Sequence, residues 1–126
     1  MTRTTRARVA SGAAAASLLM LSGCTSTEAN DAAGSIAVSS TDDACRHSAA
    51  QAPAGRIVFQ VTNDGSQVTE FYVYAEDGQR VVGEVENVGP GQTRDLAITA
   101  TPGTYVTACK PGMAGEGIRT EFTVTG

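Results

Sequence analysis

The sequence predicts an all-β fold, an antiparallel β-sandwich of about seven short strands set behind an export leader. Two patterns in the chain point to the sandwich. From Ser35 onward apolar residues alternate with polar ones in short runs, the period of a strand with one buried face, and no stretch sustains a helical period. Between the runs stand Asn63-Asp64-Gly65-Ser66, Glu76-Asp77-Gly78, Gly89-Pro90-Gly91 and Thr101-Pro102-Gly103. Residues of these types supply turns, through a positive φ or a preset φ. With 126 residues, 41% of them hydrophobic and 17% charged, the chain fits one globular domain and excludes a multidomain enzyme.

The amino terminus points to a third feature, an address. Met1 to Arg8 is basic, Val9 to Leu21 is an apolar run of small residues and leucines, and Leu21-Ser22-Gly23-Cys24 follows. The apolar run is too short to span a bilayer permanently, so residues 1–23 read as a secretory signal peptide. The Leu-Ser-Gly-Cys ending resembles the bacterial lipobox, which implies cleavage before Cys24 and a diacylglycerol on its thiol. The competing readings are an ordinary signal peptide cut nearby and a membrane helix of small residues. Under the lipobox reading the protein is held on the extracytoplasmic face of the cell membrane by its lipid. Residues 24–34 carry no apolar periodicity and read as a flexible tether, leaving 35–126 for the folded domain.

The strands follow in order: Ser35–Ser39, Arg56–Thr62, Thr69–Ala75, Gln79–Val85, Thr93–Ala100, Gly103–Cys109 and Gly117–Val124. Side chains alternate across a strand. Ile57, Phe59 and Val61 therefore share a face, as do Phe71 and Val73, Val81 and Val85, Leu96 and Ile98, and Ile118, Phe122 and Val124; these are the predicted core. Cys45 to Pro53 is less regular and reads as a loop or short turn.

Charge narrows the partners. The net charge is -4, and without Arg3, Arg6 and Arg8 of the leader only six basic residues face thirteen acidic ones. Such a domain repels phosphate backbones, so nucleic acid is no partner. A lone histidine, no Gly-x-Ser-x-Gly and no Gly-rich phosphate loop leave no catalytic set, so the chain is not expected to be an enzyme.

The remaining chemistry lies in cysteines and carboxylates. With Cys24 lipidated, Cys45 and Cys109 remain, and outside the cytoplasm two cysteines usually pair as a disulfide. As thiolates they would instead ligate a soft or borderline metal. Met113, four residues after Cys109, is either a further soft ligand or an apolar plug at the sandwich end. Glu70 has the opposite parity to Phe71 and faces outward unless a bulge re-aims it. Glu84 and Glu86 share a strand face, where they either converge on a hard cation or are simply solvated. Asp95 is a weaker candidate of the same kind. His47, in a polar segment two residues after Cys45, is either an occasional ligand or solvated. Tyr72, Tyr74 and Tyr105 are expected to pack with their hydroxyls at the surface.

Cys109-Lys110-Pro111-Gly112-Met113 resembles the copper loop of cupredoxins, in which a strand-ending cysteine precedes a histidine and an axial methionine. Here no histidine intervenes. Thr69-Glu70-Phe71 resembles the earlier cupredoxin strand, with Thr69 where a histidine ligand would stand, so blue-copper electron transfer is excluded. A further set resembles the amino-terminal domain of EfeO-type periplasmic iron-uptake proteins. It comprises Asp43-Ala44-Cys45, Thr69-Glu70-Phe71, Glu84-Val85-Glu86-Asn87-Val88-Gly89-Pro90-Gly91 and Pro102-Gly103-Thr104-Tyr105-Val106-Thr107-Ala108-Cys109. This resemblance spans most of the chain from about Ser35 to Thr125. It implies a cupredoxin-like Greek-key sandwich that binds copper or iron at Cys45, Glu70 and Cys109, with Glu84 and Glu86 forming an acidic second site. It also implies work beside an iron-uptake permease and a peroxidase. The helical domain that follows in full-length members does not follow here, so the expectation is a free-standing module accessory to iron uptake. The alternative expectation is a disulfide-stapled interaction module of the cell envelope without metal.

Overall fold

The computed structural model describes residues 32–126; the leader, the lipidation candidate Cys24 and the tether as far as Asp31 lie outside the described residues. Nine strands follow one another: β1 (Ala32–Ser40), β2 (Cys45–His47), β3 (Gln51–Pro53), β4 (Gly55–Asn63), β5 (Thr69–Tyr74), β6 (Val81–Val88), β7 (Thr93–Ala100), β8 (Gly103–Cys109) and β9 (Ile118–Thr125). A single 3-10 turn, Pro111–Met113, lies between β8 and β9. Among the described residues no helix is long and apolar enough to cross a membrane.

The strands form two sheets, ordered β2-β1-β4-β7 and β3-β9-β8-β5-β6. The sandwich predicted as antiparallel is mixed: β1 runs parallel to β4, and β3 runs parallel to β9. The cause is the segment Cys45 to Pro53. It turns back from β1 as β2, crosses to the second sheet as β3, and re-enters the first sheet as β4 beside β1. Strands of three residues carry too little alternation to be read from sequence, which is why seven were expected and nine are present.

The core lies between the sheets. Ile36, Val38, Ile57, Phe59, Val61, Leu96 and Ile98 of the first sheet meet Phe71, Val73, Cys109, Phe122 and Val124 of the second. Phe59 sits at its centre, 5.3 Å from the Phe71 ring and 5.2 Å from the Phe122 ring between centroids.

β6 departs from the expected faces. Thr69 pairs with Val88 but Phe71 with Val85, and the register slips again between Val73 and Tyr74. Each irregularity adds a residue on β6 and exchanges the faces beyond it. Val81, expected in the core, is therefore 45% exposed, while Val88 is fully buried. Between the two irregularities Gly83 faces the other sheet, where a Cβ would stand 2.7 Å from the Ile98 γ2 methyl. The sheets close at this point because the residue has no side chain.

Candidate functional site

At one pole β1, β4, β6 and β8 end and β5 begins, with Ser40, Asn63, Val88, Cys109 and Thr69 as the terminal residues. Asn63 organises the loops there. Its buried Nδ2 donates to the carbonyls of Gln67 and Val88, each at 2.7 Å, and its Oδ1 accepts the Gly65 amide at 2.9 Å. Every polar atom of that side chain is thus satisfied, as burial requires. Buried Ser40 and Thr69 share a hydrogen bond at 3.0 Å between their hydroxyl oxygens. Asp42 accepts from the Ser66 hydroxyl at 2.6 Å and from the Ser66 amide at 2.8 Å. These hydrogen bonds, the hydroxyl's first, hold its carboxyl below the ordinary value.

Cys45 and Cys109 are joined at this pole by a disulfide, 2.04 Å between sulfurs and 5.5 Å between Cα atoms. Register explains the meeting. Cys45 pairs with Ser40 at the end of β1, and Cys109 pairs with Phe71 and Ile118 at the end of β8. Both cysteines project into the space between the sheets.

His47 lies two residues beyond Cys45 on the same face of β2. It is half-buried, neither the metal ligand nor the free solvated side chain that were the two alternatives read from the sequence. Its ring packs 6.0 Å from Phe71 and 6.4 Å from Phe122, and its Nε2 lies 3.0 Å from the Thr107 hydroxyl, which in turn donates to the Thr120 carbonyl at 3.2 Å. The Thr107 hydroxyl thus bridges the His47 ring and the Thr120 carbonyl. Burial holds the imidazole below its ordinary pKa. The available signal was parity: if Cys45 points inward, so does His47.

The other candidates are placed elsewhere. β5 keeps its register with β8, so Phe71 and Cys109 point inward and Glu70 points outward; Glu70 does not reach the cysteines. It lies on the outer face with Glu84 and Glu86, around Tyr72. The Tyr72 hydroxyl donates to Glu86 Oε1 at 3.0 Å. Its partial burial, that hydrogen bond and the charges of Glu70, Glu84 and Glu86 push the phenol well above its ordinary pKa. On the same face Tyr72 and Tyr74 stack at 5.5 Å, with the Lys110 ammonium 4.1 Å above the Tyr72 ring. The Tyr74 ring packs and is buried, and the Tyr105 hydroxyl donates to the Thr101 carbonyl at 2.9 Å. Met113 is 42% exposed and does not plug the sandwich end. Asp95 is exposed on β7, opposite Gln60. Among the described residues no group of three or more His, Cys, Asp or Glu is placed to hold a metal ion.

The donor set does not fit a blue-copper ion. The sulfur that would ligate is bonded to Cys45, the hydroxyl at Thr69 is closed by Ser40, and the single imidazole is bonded to Thr107.

The comparisons with known proteins agree with this architecture. Reduced auracyanin from Roseiflexus castenholzii superposes with a TM-score of 0.59 at 18% identity, over 75% of this chain and 98% of that one. Auracyanin A, a "blue" copper protein from Chloroflexus aurantiacus, gives 0.53 at 13%, over 72% and 98%. An azurin from Methylomonas sp. strain J gives 0.56 at 13%, over 75% and 100%. At such identities the likeness is one of fold. No curated protein matches the chain by sequence. The family of the cupredoxin-like domain matches residues 13–124, nearly the whole chain, and the chain belongs to that family.

Proposed function

We propose that this protein is a lipid-anchored, extracytoplasmic cupredoxin-like module that acts as a disulfide-stapled binding protein of the cell envelope, and neither carries electrons on a blue-copper ion nor acts as an enzyme. The observation that carries this reading is the Cys45–Cys109 disulfide, at the pole where Thr69 and Cys109 stand, the residues that by sequence resemblance correspond to cupredoxin copper ligands. The lipid anchor rests on Leu21-Ser22-Gly23-Cys24 behind a basic and apolar leader.

A second reading is favoured by the same sulfurs. Reduced, Cys45 and Cys109 are two soft donors side by side in a fold shared with copper proteins, and they would hold copper or iron in the service of iron uptake, as the EfeO-type resemblance implies. Its partners would be a permease and a peroxidase.

One preparation separates the two. The full chain is expressed with its leader, extracted from membranes without reductant, and analysed for free thiols by mass and for metal content. The stapled module gives a mass short of the hydrogens of one dithiol and no stoichiometric metal. Free thiols with bound copper or iron overturn it and establish the second reading. Cys24→Ser moves the protein from the membrane fraction to the soluble one if the anchor is the lipid.

A further inference from the structure

We propose that the Cys45–Cys109 disulfide is a site of thiol–disulfide exchange, reduced in the folded protein by an external dithiol that attacks Cys45 Sγ. This rests on the disulfide of the stapled module and not on the metal reading.

The geometry lies at the seam between the sheets. A groove of about 330 Å³ opens between β2 and β9 and is lined by Cys45, Arg46, His47, Ala50, Thr120 and Glu121. Cys45 and Cys109 are both buried, Cys109 completely, and of the two only Cys45 borders the groove. The groove therefore leads to the disulfide from the Cys45 side. The seam is also open where it would ordinarily close. Thr120 has the inward parity of Phe122 on β9, yet it is exposed while Phe122 is buried. The inward side chains at this corner are His47, Thr107 and Thr120, so the corner is polar and wettable rather than sealed by apolar packing.

A second link explains how the fold survives the opening. The His47–Thr107 hydrogen bond joins β2 to β8 two residues along from each cysteine. Between these strands there are therefore two parallel rungs, one covalent and one not. When the disulfide is cut, the imidazole rung still holds β2 against β8 and keeps the two sulfurs opposed for reoxidation. Arg46, exposed at the groove, favours an approaching thiolate, and Glu121 disfavours it.

The exchange balances as follows. A thiolate of the dithiol attacks Cys45 Sγ; the bond between Cys45 and Cys109 breaks, and Cys109 leaves as a thiolate that takes a proton from water. The second thiolate of the reductant then attacks its own sulfur in the mixed disulfide and releases the Cys45 thiolate, which is likewise protonated. The chain gains two electrons and two protons, and the dithiol becomes a disulfide.

The test uses the oxidised protein in chelator-treated buffer with dithiothreitol, following free thiols by alkylation and mass, so that it reads no metal. The expected result is a reduction rate proportional to reductant concentration, under conditions where the protein stays folded. Thr120→Trp, which fills the groove from an exposed position, should slow reduction at least about tenfold with the melting temperature unchanged, because exchange depends on access. Glu121→Lys should speed it. With glutathione as the monothiol probe and acid trapping, the adduct should be on Cys45 and the alkyl label on Cys109. The proposal is overturned if reduction proceeds at the rate of global unfolding irrespective of reductant, if both variants behave as the parent, or if the adduct is on Cys109.

Discussion

Asp42 shows how a single exposed carboxylate can hold a loop pole together. It accepts from the Ser66 hydroxyl, the Ser66 amide and, at 3.3 Å, the Gln67 amide, so the loop after β1 is fastened to the loop after β4. The charged form makes these bonds, and the folded-state pKa therefore lies below the ordinary aspartate value of 3.8. A carboxylate whose pKa is depressed by folding stabilises the protein above its unfolded pKa, and loses that contribution as the pH falls through the folded value. Stability measured by urea unfolding should accordingly decline as the pH drops below 3.8, and Asp42→Asn should flatten that decline while leaving the neutral-pH slope unchanged. Nothing in the local sequence marks Asp42 for this role. Its partners are twenty-four and twenty-five residues away, and no local pattern announces a side chain that caps a distant loop.

At the scale of elements, β7 and β8 run over the residues expected, and the other long strands differ by no more than a few residues at their ends. Alternation and turn residues were enough for these, because each strand has one apolar face long enough to show a period. β6 is the exception. Its Val81, Val82, Gly83, Glu84 and Val85 read as an ordinary strand, but the two irregularities against β5 are set by pairing, which the sequence of one strand does not contain. Gly83 is the residue that this arrangement requires. Gly83→Ala should destabilise the fold by about 1–3 kcal/mol, since the new methyl meets the γ2 methyl of Ile98 in a packed interior. Chemical denaturation of the variant checks this, and a compensating Ile98→Leu, which removes that γ2 methyl, should recover part of the loss. β2 and His47 were hidden for a related reason: three residues do not make a period, and the value of His47 appears only when β8 supplies Thr107 opposite it.

For the whole molecule the disulfide is a contribution to stability that can be reckoned by itself. It closes a loop between residues separated by 64 positions, and the chain-entropy relation assigns such a crosslink about 4 kcal/mol. The double substitution Cys45→Ala with Cys109→Ala should lower the unfolding free energy by about that amount, measured in urea, while circular dichroism retains the β spectrum. The class of the fold was legible from alternation, turns and the spacing of Pro102-Gly103 before Cys109. The candidate ligand set was legible only in part: residue types and chain order located the two cysteines and parity aimed Glu70 outward, but the choice between disulfide and metal, and between a regular and a bulged β5, depends on register.

The two ends of β1 also give the molecule a direction. Ala32 begins β1 at the end where Gly55 pairs with Ala100 and Gly103 pairs with Val124, whereas Ser40 ends it beside Cys45. Nine strand residues separate these ends, a span of about 30 Å. With the proposed anchor preceding Ala32, the cysteines lie at the end of the domain far from the point of attachment. The flexible tether expected from the sequence leaves that end free to turn, so an exchange partner can meet it from the aqueous side of the envelope.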